Sequence, residues 1–289
     1  MRSLMSFEET FFRIFRHGKT VLSGSPTSTF VAPTHTKRIA VINQKGGCGK
    51  TTTTVNLAAC LAELGCRVLL VDLDPQAHAT LGLGYRGDSL PLTIYHALQQ
   101  DGVPLSHIVQ STYHPNLKLV PANSMVASVQ IELIDRPGRE RILSARLDEL
   151  AQWFHIMLLD CPPSLNVVSI NALTAASHLL IPIQTHYFSL DGMRELFKTV
   201  ELVQARFNPQ LKILGILPTL YDHRTRMNRA TLTAIREHFK DQVLETVIRL
   251  STPLSECPMV GQPITRYAPH SRGAQDYRLL AEELLRRNA

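Results

Sequence analysis

Several things are missing from this sequence, and each absence removes a class of protein. Its 289 residues hold five cysteines. The number is odd, no two are spaced as a CxxC pair, and no HExxH motif occurs, which speaks against a disulfide scaffold and a structural zinc site. No uninterrupted apolar run approaches the roughly 18 residues of a membrane span. Neither sign of charge dominates, since lysine plus arginine number 30 against 24 for aspartate plus glutamate, a net +6. That surplus fits a polyanion partner without requiring one. What the chain does have is a 44% apolar content against 19% charged, enough to bury a full core and exclude wholesale disorder. Cys48, Cys60, Cys66, Cys161 and Cys257 fall in apolar or motif-bearing segments and read as reduced, buried thiols.

Residues 1–36 form an appendage. Ser6 and Glu9 have capping-box spacing, Leu4, Phe7, Phe11, Ile14 and Phe15 recur every three or four residues, and Gly18 stops the expected helix. A linker, Ser23 to Thr29, follows. Glu8, Glu9, Arg13 and Arg16 interrupt any secretory apolar core. The Phe7, Phe11 and Phe15 stripe is read first as packing on the main body, then as a partner-binding face.

Residues 37–289 are expected to form one α/β domain. Strand-length apolar runs (Ile39–Ile42, Val68–Val71, Leu117–Val120, Ile156–Leu159, Leu179–Ile183, Ile213–Leu217) alternate with helical patterns. The helical patterns are Thr52–Leu64, Arg139–Ala151, Leu190–Arg206, Asn228–His238 and Gly273–Arg287. Near-continuous apolar strands between amphipathic helices predict a mostly parallel twisted sheet with helices on both faces.

The strand ending at Ile42 runs into Asn43-Gln44-Lys45-Gly46-Gly47-Cys48-Gly49-Lys50-Thr51-Thr52, with a helix after it. Three glycines let the backbone turn tightly and aim successive N–H groups at a phosphate chain, and the helix adds its positive dipole end. Lys50 is placed to reach the β- and γ-phosphates and the Thr51 hydroxyl to ligate Mg2+. The loop is unusual: Gln44 stands where the common pattern has its first glycine, and a second lysine, Lys45, opens the glycine run.

Two acidic strand ends suit the same chemistry. One strand closes on Asp72-Leu73-Asp74-Pro75-Gln76, the other on Asp160-Cys161-Pro162-Pro163, and ligands in such sheets bind beyond the carboxyl ends of strands. Asp160 is expected in the magnesium shell through water, and Asp74 to orient or deprotonate the attacking water.

These strings, with Ile181-Pro182-Ile183-Gln184, Leu220-Tyr221-Asp222, Gly261-Gln262-Pro263-Ile264 and Ser271-Arg272-Gly273-Ala274, closely resemble the ParA/Soj partition ATPases of the ParA/MinD deviant Walker A group. The likeness runs over residues 37–287. It implies a P-loop NTPase that binds ATP with Mg2+ through Lys45, Gly46, Gly47, Cys48, Gly49, Lys50, Thr51 and Thr52. Hydrolysis to ADP and phosphate is implied to be slow and partner-stimulated. Lys45 resembles the signature lysine that reaches the partner subunit's phosphates in an ATP-dependent homodimer. Asp74 matches the water-positioning acid, and Asp72 supports the metal environment. The family implies nonspecific double-stranded DNA and a ParB-like or cargo-adaptor protein as partners, and a cytoplasmic, nucleoid-associated location. The cargo that the resemblance implies is a plasmid, a chromosome or a protein assembly. The runner-up is a MinD-like membrane-associated switch, disfavoured because no basic amphipathic tail follows the last helical pattern.

Arg224, Arg226 and Arg229 cluster in Tyr221–Arg229, and Arg249, Arg266 and Arg272 follow later. Together they are the candidate DNA face, binding phosphates without reading bases. The stretch Ile248-Arg249-Leu250-Ser251-Thr252-Pro253 departs from the family: a proline and an asparagine that contact adenine there fall on Arg249 and Ser251, and two arginines fall on Leu250 and Pro253.

Overall fold

The computed structural model describes residues 35–99, 102–186 and 191–287. The expected N-terminal helix and linker lie outside the described residues. Strands β1 (Lys37–Val41), β2 (Val68–Asp72), β3 (Gln110–Ser111), β4 (Leu117–Val120), β5 (Ile156–Asp160), β6 (His178–Gln184) and β7 (Lys212–Thr219) form a sheet in the order β3-β4-β2-β5-β1-β6-β7. All neighbours are parallel except the short edge strand β3, which pairs antiparallel with β4.

The helices are α1 (Lys50–Glu63), α2 (His78–Gly82), α3 (Ile94–Leu98), α4 (Val129–Glu132), α5 (Ile142–Asp148) and α6 (Val167–Ala175), followed by α7 (Asp191–Arg206), α8 (Arg226–Phe239), α9 (Thr252–Val260), α10 (Ile264–Tyr267) and α11 (Arg272–Arg286). Side chains alternate across a strand, so both faces of a doubly covered sheet must be apolar. Ala40 and Ile42 enter one core with Leu69, Val71 and Leu159, while Ile39 and Val41 enter the other with Val68, Leu70 and Leu158. Helix α1 is buried from Thr53 to Ala62 because α11 lies over it, with Thr53 Oγ1 and Tyr277 Oη 3.2 Å apart. A helix enclosed on all sides has little need of a polar face, which is why its sequence shows only weak amphipathicity.

One expected helix is broken. Over 139–151 there is a 3-10 turn at Arg139–Arg141, then α5, then a second 3-10 turn at Ala151–Trp153. The cause is Asn171 of α6. Its Oδ1 accepts the Leu143 N–H at 3.0 Å and its Nδ2 donates to the Arg139 carbonyl at 2.7 Å. Those two backbone groups would bond each other in a continuous α-helix, so an inserted amide splits the ladder there.

Candidate functional site

The register sets the geometry. Val41 and Asp72 both stand opposite Asp160, so the exit of β1 and the two acidic strand ends converge at the carboxyl edge of the sheet. The chain then forms the loop 43–49 before α1 begins at Lys50. Gly47 and Gly49 adopt φ of 69° and 87°, left-handed values at which a side chain is strained. Asn43, buried beneath the loop, accepts the Lys45 N–H at 3.0 Å and donates to the Pro182 carbonyl at 2.7 Å. From the adjoining strands, Gln184 Nε2 donates to the Gly47 carbonyl at 2.6 Å and Thr219 Oγ1 to the Cys48 carbonyl at 2.8 Å. Loop carbonyls are thus taken by protein donors, which leaves N–H groups as the complementary set for an anion.

Lys50 is buried, and its Nζ donates to the Lys45 carbonyl at 3.1 Å, within the span of the loop. Gly46 and Gly47 are exposed at the mouth, where Lys45 is half-buried. Cys48 points inward, and burial raises the pKa of its thiol, so it packs rather than reacts.

Asp160 is fully buried and accepts the Thr51 hydroxyl at 2.8 Å and the Thr54 hydroxyl at 2.9 Å, one on each oxygen. Thr51 and Thr54 lie three residues apart, on one helix face. Asp72 accepts the Thr80 N–H and hydroxyl on Oδ2 at 2.8 and 2.7 Å, and the Asp74 N–H on Oδ1 at 3.1 Å. Burial holds both carboxyls well above the usual range, and their mutual proximity adds to the rise at Asp160. Cation binding beside such a pair offsets desolvation and repulsion alike. The donors fit magnesium, a hard ion that takes oxygen ligands: the Thr51 hydroxyl keeps lone pairs beside the Asp160 carboxylate. Among the described residues no cluster of three or more His, Cys, Asp or Glu side chains forms a metal cage. Magnesium in phosphoryl-transfer sites needs only one or two protein oxygens, with phosphate and water completing its shell.

Asp74 is 8% exposed at the wall of the cleft. Its Oδ1 accepts the Gln76 N–H at 2.9 Å, so Oδ2 is the oxygen with capacity for a water. The cleft holds about 600 Å³, within the common range for ligand sites. Gly46 to Thr52 line one part. Leu220, Ile248, Leu254 and Pro258 supply apolar wall, with the Ser251 and Ser255 hydroxyls among them.

The six arginines divide. Arg224, Arg226 and Arg229 are exposed around the turn from β7 into α8. Arg224 forks onto Asp222 (2.8 and 2.9 Å), and Arg229 donates to the His223 carbonyl at 2.5 Å. Arg249 is bridged to Tyr221 of this group, but its guanidinium turns onto buried Asp276. Arg272 is exposed at the start of α11, and the Gly273 after it packs against Ser251 and Leu254. Arg266 does not join them. It sits 5.2 Å from the ring centroid of Tyr113, just before β4 at the opposite edge of the sheet.

Sequence reasoning assigned no role to Asn43, Thr54, Thr80, Gln184, Thr219 or Asp276. Two signals were available: a run of four threonines after Lys50, and two acids, Asp276 and Glu283, on the apolar face of an amphipathic helix.

Comparison with known proteins agrees with this geometry. Residues 36–213 match the family described as AAA domain. The sporulation initiation inhibitor protein Soj of Bacillus subtilis is 44% identical over 248 residues, covering 86% of this chain and 98% of Soj. The chromosome-partitioning ATPase Soj of Thermus thermophilus is 46% identical, covering 87% and 96%. Among solved structures, a Mycobacterium smegmatis protein described as cobyrinic acid a,c-diamide synthase, with bound ADP and magnesium, superposes with a TM-score of 0.77 at 39% identity, covering 87% of this chain and 94% of that one. With its phosphate loop seated beside Asp72 and Asp160 at the carboxyl edge of a parallel sheet, the chain belongs to the ParA/Soj-type partition ATPases, a family of P-loop ATPases.

Proposed function

We propose that this chain is an ATP-driven partition switch whose two copies close face to face over bound nucleotide, hold DNA without sequence preference and let go after hydrolysis. The observation that carries the reading is the pair of lysines on one loop. Lys50 is buried with its ammonium inside the loop. Lys45 is half-buried at the mouth, its backbone fixed by Asn43 on one side and Lys50 on the other. A cation held there meets a second subunit's phosphates only when two clefts face each other, which ties charge neutralisation in the transition state to association.

In this reading Lys45, Gly46, Gly47, Cys48, Gly49, Lys50, Thr51 and Thr52 bind ATP. Magnesium, when bound, neutralises phosphate charge, and the Thr51 hydroxyl with Asp160 and Asp72 holds its surroundings. Asp72 acts through the loop it braces, since its oxygens meet Asp74 and Thr80. Asp74 orients the attacking water through its remaining oxygen. Arg224, Arg226, Arg229 and Arg272 supply the DNA contacts; Arg249 and Arg266 have the partners described above and are assigned a lesser part. A ParB-like or adaptor protein stimulates turnover, and residues 1–36 form a separate appendage to the ATPase domain.

Mass in solution with ADP, ATP and a slow-hydrolysing analogue, with and without plasmid DNA, tests the reading. Doubling with the analogue and retention on DNA are expected. A particle that stays monomeric when saturated with ATP and magnesium would overturn it. ATP-dependent sedimentation with anionic liposomes, in place of duplex DNA, would favour the MinD-like alternative instead. No helix among the described residues is long and apolar enough to cross a membrane.

A further inference from the structure

Behind the apolar wall of the cleft, a short segment runs from Leu244 to Ser251 along the edge of β7, and its far side is held by carboxylates of α11 rather than by a further strand. Leu244 N–H donates to the Ile216 carbonyl and Ile248 N–H to the Pro218 carbonyl, each at 2.9 Å. Leu250 N–H donates to the Tyr221 carbonyl at 3.0 Å. The N–H groups of Glu245, Thr246 and Arg249 turn the other way, toward α11. Glu283 accepts Glu245 N–H and Thr246 N–H, both at 2.9 Å. Asp276, two turns earlier on the same helix face, accepts Arg249 N–H at 2.9 Å and takes the Arg249 guanidinium in a fork, with Nη2 to Oδ1 at 2.6 Å and Nε shared between Oδ1 at 3.0 Å and Oδ2 at 3.1 Å.

Among the described residues, every side-chain hydrogen bond of Asp276 therefore goes to one residue, and that residue lies between Ile248 and Ser251, both of which line the cleft. Asp276 is 3% exposed, and its neighbour Tyr277 also lines the cleft and meets Thr53 of α1. A buried carboxylate forked onto a guanidinium fixes distance and angle together. Removing either partner leaves the other unpaired at substantial cost. The wall it fixes is the apolar one, remote in character from the N–H-rich loop and suited to a flat heterocycle rather than to phosphate.

We infer that the Arg249–Asp276 fork is a positioning device for the nucleobase wall, setting Ile248 and Ser251 so that the cleft grips the base of its nucleotide independently of the phosphate loop. The inference rests on reading this cleft as the ATP site. Neither Arg249 nor Asp276 lines the cleft, so both act through the segment they hold.

The test compares calorimetric Kd values for magnesium-ATP and for inorganic tripolyphosphate with magnesium, on the full chain. Asp276→Ala is expected to weaken ATP roughly tenfold or more, the effect of one lost charge-assisted pair, while the tripolyphosphate Kd moves less than about twofold. Arg249→Met, at a side chain one-third exposed, should show the same split and serves where Asp276→Ala does not fold. The exchange Arg249→Asp with Asp276→Arg should recover part of the loss. Unchanged affinity for both ligands in folded variants overturns the inference, as does a parallel loss of both. Lys50→Ala separates this from failure of the underlying reading: if it leaves ATP and tripolyphosphate binding intact, the cleft itself has been misassigned.

Discussion

Asp72 and Asp160 stand directly opposite each other on the adjacent strands β2 and β5, two fully buried carboxylates at the carboxyl edge of the sheet. Their hydrogen bonds differ in kind. Asp160 meets two hydroxyls of the helix that follows the phosphate loop, whereas Asp72 braces the turn that carries Asp74 and Thr80. Neighbouring acids of nearly the same burial thus brace different elements, Asp160 the helix after the loop and Asp72 the turn that carries Asp74.

Asp160→Asn should therefore weaken magnesium-dependent ATP binding by roughly 10- to 100-fold, the usual effect of losing a group that supports a metal's ligand. Titrating ATP with magnesium and then with EDTA measures it. Equal affinities in the two conditions for the wild type would remove the metal role.

Lys50→Ala removes a buried ammonium aimed into the loop. A charge-assisted contact of about 2 kcal/mol corresponds to some 30-fold in Kd for ATP. Wild-type affinity together with wild-type turnover would reject the loop assignment.

Asp74→Ala leaves the phosphate contacts in place and removes the oxygen assigned to the water. Turnover should fall by roughly 10²- to 10⁴-fold, the range for a lost general base, while the ATP-bound dimer accumulates in light scattering. Unchanged hydrolysis would end its catalytic role.

Arg224→Glu reverses one charge in the exposed turn before α8. The fork with Asp222 is solvent-exposed and competes weakly with phosphate. Duplex affinity should drop for all sequences alike, with the slope against log salt reduced by about 1. A mobility shift identical to wild type would move the footprint elsewhere.

Asn171→Ala takes away both bonds that split the 139–148 ladder. Its cost should be about 1–3 kcal/mol, the range for leaving buried polar groups unpaired, read from urea denaturation. If the two freed backbone groups re-form an α-helical bond, the loss shrinks, and hydrogen exchange at Leu143 reports which occurs.

The amino-acid order alone determined the sheet strands other than β3, the phosphate loop and its two flanking acids. Each of those is written locally: apolar runs of strand length, glycines where the backbone needs left-handed φ, acids at strand ends. It also carried the helix starts at Lys50 and Arg272 to within two residues. Only the tertiary structure decided how the pieces divide their work. Asn171 breaks a well-patterned helix because its amide arrives from a different helix. Arg249 turns from the surface toward Asp276, 27 positions later, while Arg266 lies at the far edge of the sheet from Arg224. The partners in these cases are distant in sequence and adjacent only after folding, and no local pattern of charge or polarity encodes which distant group a side chain will meet.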